Sequence, residues 1–424
     1  MTSVKYFTNV MEGAPQLTNS WGCMVDLLDA CLVNGFNQLP VTSITRTGSV
    51  ATVTIDGTHK YQVGQVILID GANETEYNGE VRVVYTTTNT FTFNIAESAP
   101  NEATGLISAK VAPLGFEKVY GETHKGVYRS KNVLSNRPYL RVDNSCAPAY
   151  NTTYAKKAKV GLAQGMSDIN TVIGAQAPFD PSNPDKNWST TGEGGDVVDG
   201  WYKWYYAKSA YMYQWSGDLG NNIQNYNRPW VLVGDDRGFY LFNEYGSDGG
   251  GNGRGGYCFT DFESYRQGDP FNTMLAASDF YTTANSASSW GDTNNQFNRS
   301  LDFTGKILMR DHTLLGGNQR VGITSLNTNN GQTISGRTTG IPFPNPVDYS
   351  LILHPTYLMQ EGNKGLRGKL PGLMWVHNDN PLQDLTIVEN VVGYAGRKFI
   401  MVKMNYDSTG ASATMAVDIT GPWW

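Results

Sequence analysis

Trp230-Val231-Leu232-Val233-Gly234-Asp235-Asp236-Arg237-Gly238-Phe239-Tyr240-Leu241-Phe242 sets two apolar runs on either side of a glycine- and aspartate-rich stretch. The runs are rich in the β-branched and aromatic side chains that favour extended backbone, and the residues between them are good hairpin chemistry. Neither run alternates with polar residues, so both faces of this hairpin are expected to be buried. Composition extends that reading to the whole chain. Gly (47), Tyr (24) and Trp (10) are in excess beside many Thr and Asn, the mix of short strands joined by tight turns, and the fold is expected to be mainly β. At 424 residues the chain is long for one hydrophobic core, which predicts two or three domains.

Upstream of the hairpin, the clearest period of two lies between residues 41 and 110. Val50, Thr52 and Thr54 alternate with Ala51, Val53 and Ile55 after a Gly48-Ser49 turn. Further strands are expected at 66–69, 80–85 and 90–95, the last two flanking a Thr-Thr-Asn turn at 87–89. Together they predict a small sandwich or barrel over 38–110. A larger β-rich body with long loops is then expected over 111–424, beginning with strands near 117–120, 126–129 and 139–143. Periodicity fades between 144 and 199, and the Pro-, Asn-, Ser- and Gly-rich stretch 174–195 reads as a surface arm. Downstream of the hairpin, seven of the eleven residues 246–256 are Gly, which predicts a loop. Strands follow at 257–263, 305–309, 350–354, 372–377, 385–392, 398–404 and 413–419.

The N-terminal segment, 1–37, carries the one clear helix. Apolar residues at 21, 24, 25, 28, 31 and 32 form a single stripe, which predicts a helix over 20–33, capped by Thr18, Asn19 or Ser20 and ended at Asn34-Gly35. Its apolar face needs a cover, either a β domain or a neighbouring subunit. Cys23, Cys31, Cys146 and Cys258 are too few and scattered for a disulfide framework and are expected to be thiols. No apolar run approaches the length of a membrane span, and the start of the sequence lacks a signal core, so synthesis in the cytoplasm is expected. The net charge of −6 offers no general cationic field, which argues against a dedicated nucleic-acid binder.

Residues capable of chemistry are sparse in pattern. The five histidines, 59, 124, 312, 354 and 377, share no HExxH spacing, and a zinc site would require them to meet by tertiary folding alone. There is no GxSxG elbow, and Gly305-Lys306 and Gly368-Lys369 lack the rest of a phosphate loop. Asp248 and Arg254 in the glycine-rich loop could line an anion nest, although the flanking strands favour a plain hairpin loop. Glycan hydrolysis requires two suitably spaced carboxyls, for which Asp235 or Asp236 with Asp261, Glu263 or Asp269 are the candidates. Asp235-Asp236 also reads as turn chemistry and Asp269-Pro270 as the start of a turn. Trp201, Trp204 and Trp215 are candidate glycan contacts, against the alternative that they fill a core. No catalytic residue, cofactor site or metal site is assigned.

Several stretches resemble structural proteins of tailed bacteriophages and prophages. These are Val4-Lys5-Tyr6-Phe7 with Gly13-Ala14-Pro15, the run Leu27-Leu28-Asp29-Ala30-Cys31-Leu32-Val33-Asn34-Gly35-Phe36, and the module from Gly64-Gln65-Val66 through Tyr77-Asn78-Gly79 to Thr90-Phe91-Thr92-Phe93. Tyr139-Leu140-Arg141-Val142-Asp143, Arg228-Pro229-Trp230 and the ending Val417-Asp418-Ile419-Thr420-Gly421-Pro422-Trp423-Trp424 are similar to central and terminal segments of the same group. Residues 150–227 depart from it. The resemblance implies a noncatalytic virion subunit of the tail, neck or baseplate, made in the bacterial host cytoplasm. Its expected partners are other virion subunits, with copies of the chain in a ring or other symmetric oligomer. Trp21, Met24, Leu28, Trp423 and Trp424 are the candidate subunit contacts, together with the arm. A capsid decoration or head-fibre protein and a host-glycan binding or cleaving tailspike-like protein are the alternative roles.

Overall fold

The computed structural model describes residues 4–208, 223, 225–246, 253–279, 303, 305–323, 345–362, 364–377, 382–405 and 412–424. Thirty strands, all paired antiparallel, dominate the described residues, and the protein is mainly β. Twenty-eight of them form three large sheets, each from a largely separate stretch of chain, and Thr190–Thr191 pairs with Val198–Asp199 in a small two-stranded one. Residues 36–111 make an eight-stranded sheet in the order Gly79–Arg82, Val66–Ala72, Gly105–Val111, Phe36–Thr47, Val50–Ile55, Thr90–Asn94, Tyr85–Thr86, with Glu102–Ala103 beside Phe36–Thr47. The long strand Phe36–Thr47 serves both halves. Its first residues pair with Gly105–Val111, and after a register shift between Val41 and Ser43 the rest pairs with Val50–Ile55. Such a shift bends a strand, letting one strand carry a sheet around a core. That core is lined by Ile44, Val53, Ile69, Phe91 and Phe93.

A seven-stranded sheet runs from Phe116–Glu122 through Lys125–Ser130, Tyr139–Asp143, Lys156–Met166 and Tyr202–Ala207 to Ser278–Asp279, with Val172–Ala177 also on Lys156–Met166. The third sheet has thirteen strands and begins, unexpectedly, at the N terminus. Lys5–Thr8 forms its edge against Trp230–Asp235, followed by Gly238–Gly246 and Gly253–Asp261 and ending at Ser412–Asp418, Lys398–Asn405 and Ile387–Glu389. The decisive hairpin turns tightly at Asp236-Arg237, and its strands are buried on both faces. One face explains the aromatic excess. Trp204 stacks on Tyr257 with centroids 5.9 Å apart, and Phe116 and Phe239 complete a seam between the seven- and thirteen-stranded sheets. Gly238 is required by close approach, since a Cβ there would lie 2.3 Å from Thr260 Cα.

The helix differs from its sequence reading. Instead of 20–33 it is an α-helix over Cys23–Leu28 running into a π-helix over Asp29–Asn34. Gly22, at φ 94°, is the N-cap, and a Cβ there would strike the His124 ring. The hydroxyl and amide side chains expected to cap it are engaged elsewhere: Thr18 meets Cys23 Sγ, and Asn19 Nδ2 donates to the Ile223 carbonyl. At the other end, Cys31 and Leu32 carbonyls accept from the N–H groups of Leu114 and Gly115, where the chain enters the second sheet. The wide final turn closes with Gly35 N–H on the Ala30 carbonyl.

The stretch 144–199 also departs from expectation. Lys156–Met166 is an eleven-residue strand buried over most of its length, in the interior of the seven-stranded sheet. The segment read as an arm is folded over that sheet. Val172–Ala177 is a strand, Asn187 Nδ2 donates to the Val160 carbonyl at 2.9 Å, and the Trp188 ring lies against Gly161 and 3.9 Å from the Arg141 guanidinium. The glycine-rich loop is shorter than read, because Arg254, Gly255 and Gly256 are paired in the ladder; residues 247–252 lie outside the described residues.

Candidate functional site

The carboxylates singled out from sequence lie around one hairpin and one loop, and the fold uses each of them. Asp235 opens the tight turn, its Oδ1 accepting from the N–H groups of Arg237 (2.8 Å) and Gly238 (3.2 Å). Burial pushes its pKa up to about 7, helped by the neighbouring charge of Asp236 and opposed by the Arg237 amide and guanidinium and by Trp424. Asp261 is fully buried, accepting from Thr273 Oγ1 at 2.6 Å and from Arg237 Nε at 3.3 Å, and burial raises its pKa against those contacts. Asp236 accepts from Asn132 Nδ2, and Glu263 pairs with Lys369 at the surface. Asp269 forms a two-pronged pair with Arg367, both bonds 2.9 Å, and also accepts from Ser264 Oγ. Asp261 thus pairs with the Arg237 side chain, while Asp235 accepts from the Arg237 backbone and lies beside the partly exposed indole of Trp424.

The tryptophans are redistributed. Trp201 and Trp204, read as candidate glycan contacts, are buried, with Nε1 donated to Asp279 Oδ1 at 2.7 Å and to the Ala276 carbonyl at 2.8 Å. Core packing takes them out of reach of a saccharide. Trp215 lies outside the described residues. Of the candidate subunit contacts, Met24 and Leu28 are wholly buried within the chain, so the helix stripe is covered by the protein's own sheets. Trp21 packs edge-on against Tyr150 at 5.8 Å, with Lys156 Nζ over its ring. Trp423 is half-buried against Tyr240 and Gly372, its Nε1 donating to the Asp418 carbonyl. Trp424 is 40% exposed, with the Arg237 guanidinium 3.7 Å from its ring.

Two charge clusters went unnoticed in the sequence. On the strand Lys156–Met166, Lys159 Nζ lies 3.1 Å from Asp199 and 3.4 Å from Asp143, while Lys157 Nζ lies 3.3 Å from Asp199 and 3.4 Å from the Tyr150 ring centre. Burial alone would raise the Asp199 pKa, but the two ammonium groups and Thr190 hold it well below the usual carboxylate range. Lys156 is pushed down to about 8, chiefly by burial, while donating to the Thr152 and Tyr154 carbonyls. The second cluster joins His354 and His377, rings 5.6 Å apart and edge to face. Burial, with His354 beside it, takes His377 down to about 4, and His354 Nδ1, His377 Nε2 and Trp375 Nε1 have no hydrogen-bond partner among the described residues. Only the pairing of strands reveals this meeting, since His354 and Trp375 face each other in the ladder. Among the described residues no group of three or more His, Cys, Asp or Glu is placed to hold a metal ion.

Exposed apolar side chains are scattered over turns, loops and the start of one strand. Leu106 is 97% exposed, Val133 and Leu134 are 79% and 77% exposed, and Leu315 and Val347 are equally open. No helix among the described residues is long and apolar enough to cross a membrane. Comparison with known proteins found no matching family model and no match among the curated proteins.

Proposed function

We propose that this chain is a noncatalytic structural subunit of a tailed-bacteriophage particle, placed in the tail, neck or baseplate and repeated there with other virion subunits around a symmetric ring. The observation that carries the reading is the division of labour between inside and outside. Trp201, Trp204, Tyr240 and Tyr257 are spent on packing within the body, while Leu106 near the start of a strand, and Val133, Leu134 and Leu315 on turns and loops, are left uncovered. Apolar side chains in such positions gain by burial against a neighbour, and a subunit repeated around an axis presents each of them to one. The short stretches that resemble virion proteins supply the kind of assembly. The helix contributes indirectly, because its buried stripe fixes the point at which the chain enters the small sheet.

The test is location. Mass spectrometry of purified particles is expected to find the chain at a fixed multiple of the portal or baseplate copy number, and electron microscopy to place it on the tail axis. Leu134→Asp with Val133→Asp should leave thermal unfolding within about 0.5 kcal/mol of the parent, as exposed substitutions do, while lowering incorporation into particles. A particle that lacks the chain would overturn the proposal.

A further inference from the structure

Two of the five histidines meet only in the folded chain, and the fold gives one nitrogen of each nothing to bind. His354 stands directly across the ladder from Trp375, and His377 follows Trp375 by two residues, its N–H held by the Ile352 carbonyl at 2.9 Å. Residues two apart on a strand share a face, so His377 is the diagonal neighbour of His354 and within reach of its ring. The two rings lie 5.6 Å apart at 82°. Each carries one buried nitrogen without a hydrogen-bond partner among the described residues, Nδ1 in His354 and Nε2 in His377. Burial lowers the pKa of both rings, with His354 adding to the effect at His377 and the Pro355 carbonyl opposing it at His354. No Asp or Glu among the described residues acts on either ring, and both imidazoles are neutral at pH 7.

We infer that His354 and His377 together bind one divalent transition-metal ion of the kind imidazole favours, Zn²⁺ or Cu²⁺, with water completing its shell. Metal–nitrogen bonds of about 2.0–2.1 Å at a near-tetrahedral angle place two ring centres roughly 5–6 Å apart, and the observed separation falls in that interval. Neutral imidazoles are ligands for Zn²⁺ and Cu²⁺, while Mg²⁺ and Ca²⁺ require oxygen donors that the pair lacks. Trp375 Nε1, also buried and without an acceptor among the described residues, cannot ligate but can donate to the oxygen of a metal-bound water. His354 is only partly buried, which gives the ion a way in. Two protein donors hold a metal less firmly than the three or four of a resident zinc centre, so the ion is exchangeable. The site belongs to the single chain, and its test is independent of any place in a particle. Calorimetric titration of the full chain, first treated with a chelator, should show uptake of one Zn²⁺ per chain at pH 7 and none of Mg²⁺. With Cu²⁺, electron paramagnetic resonance should show hyperfine structure from two nitrogens. His377→Phe and, separately, His354→Gln should each weaken Zn²⁺ uptake at least roughly tenfold and remove one nitrogen from the Cu²⁺ spectrum. The exposed histidine outside the pair serves as control, and His312→Ala should leave both readouts as they are. Near-ultraviolet circular dichroism matching the parent separates loss of the site from loss of the fold in either variant. No Zn²⁺ uptake by the parent, or uptake unchanged in both folded variants, would overturn the inference.

Discussion

At single residues, Asp235 and His377 pull the pH dependence of stability in opposite directions. The Asp235 carboxyl is raised from 3.8 to about 7, so the folded state holds a proton that the unfolded chain has already released above pH 4. Its contribution to stability is full below that pH and is lost as pH rises through about 7. Asn mimics the neutral acid and still accepts the Arg237 and Gly238 amides. Asp235→Asn should therefore flatten the stability profile between about pH 6.5 and 8, with a gain of about 1–3 kcal/mol at pH 8 in denaturant titrations. His377 has its pKa depressed from 6.5 to about 4, so its contribution is present above 6.5 and is lost as pH falls toward 4. Its buried Nε2 has no partner among the described residues, and His377→Phe removes both the proton and that nitrogen. That variant should match or exceed the parent at pH 5; a loss there greater than at pH 7.5 would show that the imidazole has an unseen partner. Between about pH 4 and 6.5 the two slopes oppose each other and largely cancel, so each variant should unmask the slope of the other residue.

Elements show what was legible before the structure. The hairpins of the small sheet and the one at Trp230–Phe242 are written locally: a period of two, or a closed apolar run, bounded by glycine and aspartate turns. The strand Lys156–Met166 is not, because Lys156, Lys157 and Lys159 interrupt any apolar period there. Their compensation comes from Asp143, Asp199 and the ring of Tyr150, brought in by other strands and loops. Likewise, the helix stripe was visible, but its start is fixed by the His124 ring and its end by amides more than eighty positions downstream. Asp199 is the test of this account. Asp199→Ala would remove the carboxylate that the buried Lys157 and Lys159 share, leaving Lys159 its longer contact with Asp143, and should destabilise the protein by about 3–5 kcal/mol, as broken buried pairs do. Replacing Lys157 with Met in the same background should recover part of that loss, seen as a higher midpoint in urea. If the double variant is less stable than Asp199→Ala, the lysines are not held by this carboxylate.

Across the whole molecule, the two chain ends and the small sheet are tied at one place. Lys5–Thr8 closes the edge of the thirteen-stranded sheet, and Lys5 Nζ reaches Glu80 of the small sheet and the Pro113 carbonyl. Arg82, also of the small sheet, donates to the Val4 carbonyl at 2.9 Å and reaches the Ile419 carbonyl at 3.5 Å. Gly421 lies so close to Val4 that a Cβ would sit 2.4 Å from its side chain, and the last two residues then fold onto Tyr240 and Arg237. Contacts this distant in sequence are formed late in folding, after loop-closure entropy has been overcome, and they hold parts that local pairing cannot join. The two terminal rings do unequal work in this clasp. Trp423 fills the notch above Gly372 and satisfies its indole N–H, whereas Trp424 stacks on a guanidinium with much of its surface in water. Trp423→Ala is expected to cost about 2–3 kcal/mol, below the range for a fully buried ring, and to speed proteolysis at both ends of the chain together. Trp424→Ala should cost less than about 1 kcal/mol, the worth of an exposed ring–cation contact. Calorimetry of the two variants separates the cases: equal losses would mean that the terminus acts as one cover over Arg237, and a loss confined to Trp423 would place the clasp at the Gly372 notch.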